Sequence, residues 1–111
     1  MQSVSSNAVA RGINTQKVME KETLIGSFTL SAGQTVSPII TQYLHEPPSG
    51  WGRLCSLYTM GQNYFQLSMN FVYNPYTGKT DGYATITNHY NNSLTTDVYV
   101  YELFLPYNLL P

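Results

Sequence analysis

Residues 64–73, YFQLSMNFVY, decide how this chain folds. Large apolar side chains occupy every second position from Phe65 to Tyr73, and most positions between them are polar. A period of two is typical of a β-strand with one buried face. The stretch therefore predicts a strand whose core face carries Phe65, Leu67, Met69, Phe71 and Tyr73.

Five further runs have the composition of strands. They are residues 22–31, 35–43, 53–60, 83–90 and 97–105. In the first of them, Leu24, Phe28 and Leu30 are predicted to share one face, with Ile25 on the other. Pro38 predicts that the second run is an edge strand or contains a bulge. The last run has large apolar groups on both faces, which favours a contact of its second face with another sheet or subunit.

Turns separate these runs, at residues 31–34, 45–52, 74–79 and 91–94, where Gly, Pro, Asn and Ser are frequent. No helix is predicted between the strands. The fold class that follows is mainly β: an antiparallel β-sandwich or jelly-roll-like domain, preceded by a short N-terminal α-helix.

The helix is predicted over residues 7–21, capped by Ser5 or Ser6. We accordingly divide the chain into an N-terminal helical stub, residues 1–21, and a β knob domain, residues 22–111. Val9 and Ile13 are spaced for one helix face and are the candidate oligomerisation residues. The segment is either a frayed terminus or a helix on the side of the domain, or it is the stub of a parallel bundle of helices.

The amino-acid composition limits the classes of partner that the chain can bind. Charged residues make up 10% of the chain and the formal net charge is -1, against roughly 25% charged residues in ordinary domains. No basic surface is available for nucleic acid. The N-terminus lacks the apolar core of a signal peptide, and no run of apolar residues is long enough for a membrane-spanning helix.

Signatures of catalysis are missing. The single Cys55 excludes an internal disulfide and is expected to pack in a strand. The acids form no recognisable pair, His45 and His89 have no metal-ligand spacing, and no phosphate-binding loop is present. We therefore predict no enzyme activity, no metal site and no cofactor.

Carbohydrate binding suits the loop residues better, because sugars stack on aromatic rings while amides and imidazoles bond their hydroxyls. The same aromatic side chains are also suited to packing or to a subunit interface. The candidate ligand-binding residues are His45, Trp51, Tyr76, His89, Tyr90, Asn91 and Asn92.

The phrase SSNAVA, Ser5 to Ala10, resembles a phrase found in tail-fibre and related host-recognition proteins of bacteriophages and prophages. The phrase lies within SVSSNAVARGI, Ser3 to Ile13, a stretch that makes up about a tenth of the chain. The resemblance implies a trimeric fibre whose last module is a compact β knob that touches the host surface. Together with the loop residues and the missing catalytic motifs, it leads to the interpretation of a non-enzymatic homotrimer of the virion tail that binds a cell-surface saccharide. The alternatives are a structural trimerisation or decoration module without a ligand, and a hydrolytic fibre domain.

Overall fold

The computed structural model describes residues 18–60 and 64–110, which form six strands and two short 3-10 helices. The strands are β1 (Met19–Leu30), β2 (Thr35–Val36), β3 (Trp51–Thr59), β4 (Phe65–Asn74), β5 (Lys79–Asn88) and β6 (Leu94–Pro106). The 3-10 helices are Thr41–Tyr43 and Tyr107–Leu109.

The strands form two antiparallel three-stranded sheets. One has the order β1-β6-β3 and the other the order β2-β5-β4, so the long strands β6 and β5 are central. The prediction of a mainly β chain is confirmed. Gly33 and Gly78 have positive φ in the predicted turns at residues 31–34 and 74–79, a conformation that glycine adopts without steric cost.

Both central strands alternate buried and more exposed residues along their length. The two sheets share one hydrophobic core, whose buried members are Ile25, Leu30, Ile40, Ala84, Ile86, Val98 and Val100. Ala84 and Ile86 of β5 and Val98 and Val100 of β6 enter this core at every second position, because successive side chains of a strand point to opposite faces.

The decisive strand β4 is present, but its predicted core face is correct for only part of its length. Phe65, Leu67 and Met69 pack against the core, whereas Phe71 and Tyr73 are exposed. In the register of the sheet these two residues lie opposite Gly82 and Thr80 of β5. They have no large apolar neighbour across that pair of strands, and they form an open surface instead.

The face predicted for the first strand is wrong before Gly26. Leu24 is 48% exposed and Ile25 only 7%. The register with β6 shifts between Leu24 and Gly26, which is a β-bulge. One extra residue reverses which side chains face the core, so Ile25, Phe28 and Leu30 point inward.

The N-terminal boundary also differs from the prediction. Met19, Glu20 and Lys21, assigned above to the end of the helix, belong to β1 and pair with Phe104, Leu103 and Glu102. The long strand β6 provides backbone partners for them, which a helix would leave unused. Val18 is described and is not helical. Residues 7–17 of the predicted helix, including Val9 and Ile13, lie outside the described residues.

The second predicted strand is much shorter than residues 35–43. Only Thr35–Val36 pair with β5, at the edge of the sheet, which agrees with the prediction from Pro38. Ile39 then forms a single bridge with Tyr83, and the chain turns into the 3-10 helix Thr41–Tyr43. This turn carries the following loop, residues 44–50, toward the end of β6.

Candidate functional site

A buried carboxylate holds the loop that follows the first 3-10 helix. Glu102 lies on the core face of β6 and its side chain is fully buried. Its Oε2 accepts a hydrogen bond from the backbone N–H of His45 at 2.9 Å, and its Oε1 lies 2.7 Å from Nδ1 of the same residue. One side chain of β6 therefore fixes both the backbone and the ring of His45.

Arg53 of β3 completes the arrangement. Its Nη1 donates a hydrogen bond to the carbonyl oxygen of His45 at 2.7 Å and lies 3.7 Å from Oε2 of Glu102. A buried carboxylate is costly unless it is paired and hydrogen-bonded. Arg53 and His45 supply that compensation, and together with Glu102 they hold His45 in one orientation.

His45, whose side chain is 43% exposed, lines a cleft of about 230 Å³, called the His45 cleft below. Its polar walls are contributed by Thr41, His45, Glu46, Arg53 and Thr80, and its apolar walls by Leu44 and Phe71. Thr41 is itself fixed, because its Oγ1 accepts a hydrogen bond from the backbone N–H of Gly82 at 2.9 Å. The cleft thus combines an exposed aromatic ring with side chains held in place by the sheets.

Two other predicted site residues lie at the same end of the molecule without lining the cleft. Trp51 begins β3 and pairs with Pro106. Tyr76 is almost fully exposed at the tip of the turn between β4 and β5, where its backbone N–H bonds Oδ1 of Asn74.

The remaining predicted residues lie at the opposite end. His89, Tyr90, Asn91 and Asn92 follow β5 directly. The ring of Tyr90 packs on that of Tyr64, with centroids 4.3 Å apart, and Nε2 of His89 lies 2.6 Å from Oε1 of Gln66. We call these four residues, together with Tyr64 and Gln66, the tyrosine-pair surface.

The two groups cannot bind one small ligand together. Leu94 begins β6 beside the tyrosine-pair surface, and Glu102 lies eight positions further along the strand. At the rise of an extended strand this corresponds to about 26 Å. The seven predicted residues therefore belong to two separate surfaces.

Asn88, which the sequence did not mark, organises the tyrosine-pair surface. It is fully buried. Its Nδ2 donates hydrogen bonds to the carbonyl oxygens of Leu30, Ser31 and Asn92, and its Oδ1 accepts one from the backbone N–H of Tyr90. One amide thereby ties two turns to the end of β5.

Cys55 lies on β3, opposite Glu102 of β6, and is half-buried. Its sulfur is 4.0 Å from Sδ of Met69. Burial raises the pKa of the thiol, and nearby Arg53 opposes that shift. The position in a strand agrees with the expectation of a packed side chain.

Sequence reasoning missed Glu102, Arg53, Phe71 and Asn88 as parts of these surfaces. One signal was available for Glu102, since it occupies a buried position in the alternation of Val98, Val100 and Phe104. A carboxylate at a buried position requires a partner. That partner, His45, is 57 positions away and no local pattern indicates it.

Within residues 18–60 and 64–110, no group of three or more His, Cys, Asp or Glu side chains is arranged to hold a metal ion. The same residues include no helix of the length and apolar character needed to cross a membrane. No protein-family model, curated protein or solved structure matches this chain.

Proposed function

We propose that the chain is a receptor-binding module of a phage tail-fibre-like protein, and that it binds a host cell-surface saccharide without enzymatic action. The observation that carries the proposal is the His45 cleft, in which the Phe71 ring lies beside fixed polar groups. A sugar ring presents C–H groups to an aromatic side chain and hydroxyl groups to polar ones. Both kinds of partner are present.

The size of the cleft limits the ligand. Its volume of about 230 Å³ lies below the roughly 300–1,000 Å³ of typical drug-sized sites. One sugar ring is therefore the expected occupant, with any further rings outside. A single shallow contact of this kind is weak, and several copies acting together raise the overall affinity.

Two further features support the tail-fibre assignment. The SSNAVA phrase resembles phage host-recognition proteins, and a β-sandwich or jelly-roll-like knob is consistent with the two sheets around a shared core. The low content of charged residues suits a protein whose surface is partly covered by other subunits. The location that follows is the virion tail.

A homotrimer is part of the proposal. The face of the β1-β6-β3 sheet that points away from the shared core, called the outer face below, carries the exposed side chains of Leu24 and Leu54. Leu54 lies opposite Leu103, and Leu24 lies opposite Tyr99. The same face also carries Glu20 and Glu22, which accept hydrogen bonds from Tyr101 and Tyr58. The exposed leucines are the part of this face that favours contact with another copy.

The rival function is a structural trimerisation or virion decoration module with no ligand. The outer face supports the structural module and the receptor-binding module equally. The His45 cleft is the feature that favours the receptor-binding module. The distinction is therefore one of binding, not of assembly.

A glycan array probed with the wild-type protein tests the proposal. For a glycan that binds, Phe71→Ala and Thr80→Val are expected to weaken binding by about tenfold each, as loss of a central contact typically does. Tyr90→Ala and Trp51→Ala, which lie outside the cleft, serve as matched controls. Wild-type protein that assembles but binds no glycan supports the structural module instead, and loss of binding in Tyr90→Ala alone places the site on the tyrosine-pair surface.

A further inference from the structure

We infer that Glu102 is a positioning residue that holds His45 in the tautomer with its hydrogen on Nδ1, so that Nε2 is a hydrogen-bond acceptor in the His45 cleft. The carboxylate of Glu102 is fully buried and lies 2.7 Å from Nδ1. Oε2 of Glu102 also lies 3.7 Å from Nη1 of Arg53, in an ion pair that requires the carboxylate form. A carboxylate only accepts hydrogen bonds, so Nδ1 donates. The uncharged ring then has its lone pair on Nε2.

Backbone hydrogen bonds hold His45 in place beside the carboxylate. Oε2 of Glu102 accepts from the backbone N–H of His45, while Arg53 donates to its carbonyl oxygen. Because both backbone groups of His45 are hydrogen-bonded, its ring can change hydrogen-bond partner only by rotating away from Glu102. Such a rotation would leave Oε1 buried without the ring N–H.

The ligand class follows, and this step rests on the proposed function. An acceptor in the cleft binds a group that donates, and a sugar hydroxyl donates where an ether or a methoxy oxygen cannot. The cleft therefore selects a saccharide with a free hydroxyl at the position facing His45. A site built around a hydrogen bond rejects analogues that lack the partner group, because the polar atom of the protein is then left unpaired.

His89 provides an internal comparison. Its Nε2 lies 2.6 Å from the amide oxygen of Gln66, so Nε2 carries the hydrogen there. The two histidines of the chain are thus expected in opposite tautomers. One ¹H–¹⁵N spectrum reports the tautomers of both histidines.

The test is long-range ¹H–¹⁵N correlation spectroscopy of the whole chain, recorded well above the pH at which free imidazole titrates. We expect the ¹⁵N signal of a protonated nitrogen for Nδ1 of His45 and for Nε2 of His89. Glu102→Gln is expected to shift His45 toward the other tautomer, because Gln has one oxygen where Glu102 uses two. If that oxygen keeps the backbone N–H of His45, the NH₂ group donates to Nδ1, which must then carry the lone pair. If that variant does not fold, the wild-type spectrum still decides, and hydrogen on Nε2 of His45 overturns the inference.

A second measurement separates this inference from the proposed function. Glucose, galactose, mannose and N-acetylglucosamine are titrated into the ¹⁵N-labelled protein. A sugar that shifts the Nε2 signal of His45 supports the acceptor role, and one that perturbs Phe71 without moving Nε2 overturns it. If no sugar binds while His45 carries its hydrogen on Nδ1, the proposed function is contradicted and the tautomer assignment is supported.

Discussion

The carboxylate of Glu102 accepts a backbone hydrogen bond from His45, a residue 57 positions earlier in the chain, and lies 2.7 Å from Nδ1 of its ring. The relationship connects a loop that contains Pro47 and Pro48 to the central strand of a sheet. Because the carboxylate is fully buried, its partners determine both the stability of this end of the molecule and the shape of the cleft.

His45→Ala is expected to lower the free energy of unfolding by about 1–3 kcal/mol, the cost of leaving a buried acceptor without one of its donors. Urea unfolding followed by circular dichroism measures the change. His89→Ala is the matched control, since its partner Gln66 is exposed, and it should change stability by no more than about 0.5 kcal/mol. Equal effects of the two substitutions would contradict a special role for the Glu102 contact.

Asn88→Asp is expected to destabilise the protein strongly at neutral pH, by about 3–5 kcal/mol, because it places a buried carboxylate against the carbonyl oxygens of Leu30, Ser31 and Asn92. The folded state should raise the pKa of the new carboxyl above its unfolded value. Stability is then recovered as the pH falls and the protonated group donates to one carbonyl. Thermal unfolding across pH measures this, and Asn91→Asp, at an exposed position, is the control. A loss of stability independent of pH would show that charge is not the cause.

The strands could be predicted from the sequence because their signal is local. Alternation in residues 64–73 and the turn residues on either side identify β4 without knowledge of its partners. The bulge near Leu24 could not be predicted in this way, because it is defined by the register of β1 against β6. Alternation shows that a strand has two faces but does not show where one extra residue reverses them.

The candidate site shows the same limit. His45 was predicted as a ligand-binding residue from its type and its loop, and the structure places it on the cleft. His45 lies in a loop, and its orientation depends on Glu102 of β6 and Arg53 of β3. The predicted residues also divide between two ends of the molecule, because sequence reasoning gave no distance between the loops. The distance between the loops follows only from the strand order of the folded chain.

The thiol of Cys55 is expected to react slowly with a disulfide reagent such as Ellman's reagent in the folded protein. Burial raises the pKa of the thiol, so a smaller fraction of Cys55 is present as the reactive thiolate. The side chain is also half-covered by its neighbours. Absorbance of the released thiolate measures the rate, with the same protein in concentrated urea as the reference. A native rate equal to the rate in urea would contradict the packed environment.

Leu54→Lys is expected to weaken self-association if the outer face forms the proposed trimer contact, because a charge replaces an exposed apolar group on that face. Val72→Lys is the matched control: Val72 is 46% exposed and Leu54 41%, but Val72 lies on the other sheet. Light scattering across a range of protein concentrations measures the mass. A wild-type monomer at high micromolar concentration would contradict the trimer, and dissociation by Val72→Lys alone would place the contact on the other sheet.

The hydrogen bond from Tyr58 to Glu22 gives a signature in alkaline solution. The phenol donates to Oε2 of Glu22 at 2.7 Å, and this bond raises the pKa of Tyr58 from 10.0 to about 12. The folded state thus binds this proton more tightly than the unfolded state. Its contribution to stability is complete below pH 10.0 and is lost as the pH rises through about 12.

Tyr58→Phe should therefore reduce stability at neutral pH, with the difference from the wild type disappearing between pH 10.0 and about 12. Absorbance of tyrosinate in the two proteins isolates the missing phenol, because the similar pair of Tyr101 and Glu20 is present in both. Glu22→Gln keeps an acceptor oxygen but removes the charge, so it should lower the pKa of Tyr58 while retaining part of the stability. A Tyr58 signal that titrates at the same pH in Glu22→Gln and in the wild type would show that the carboxylate of Glu22 does not control this phenol.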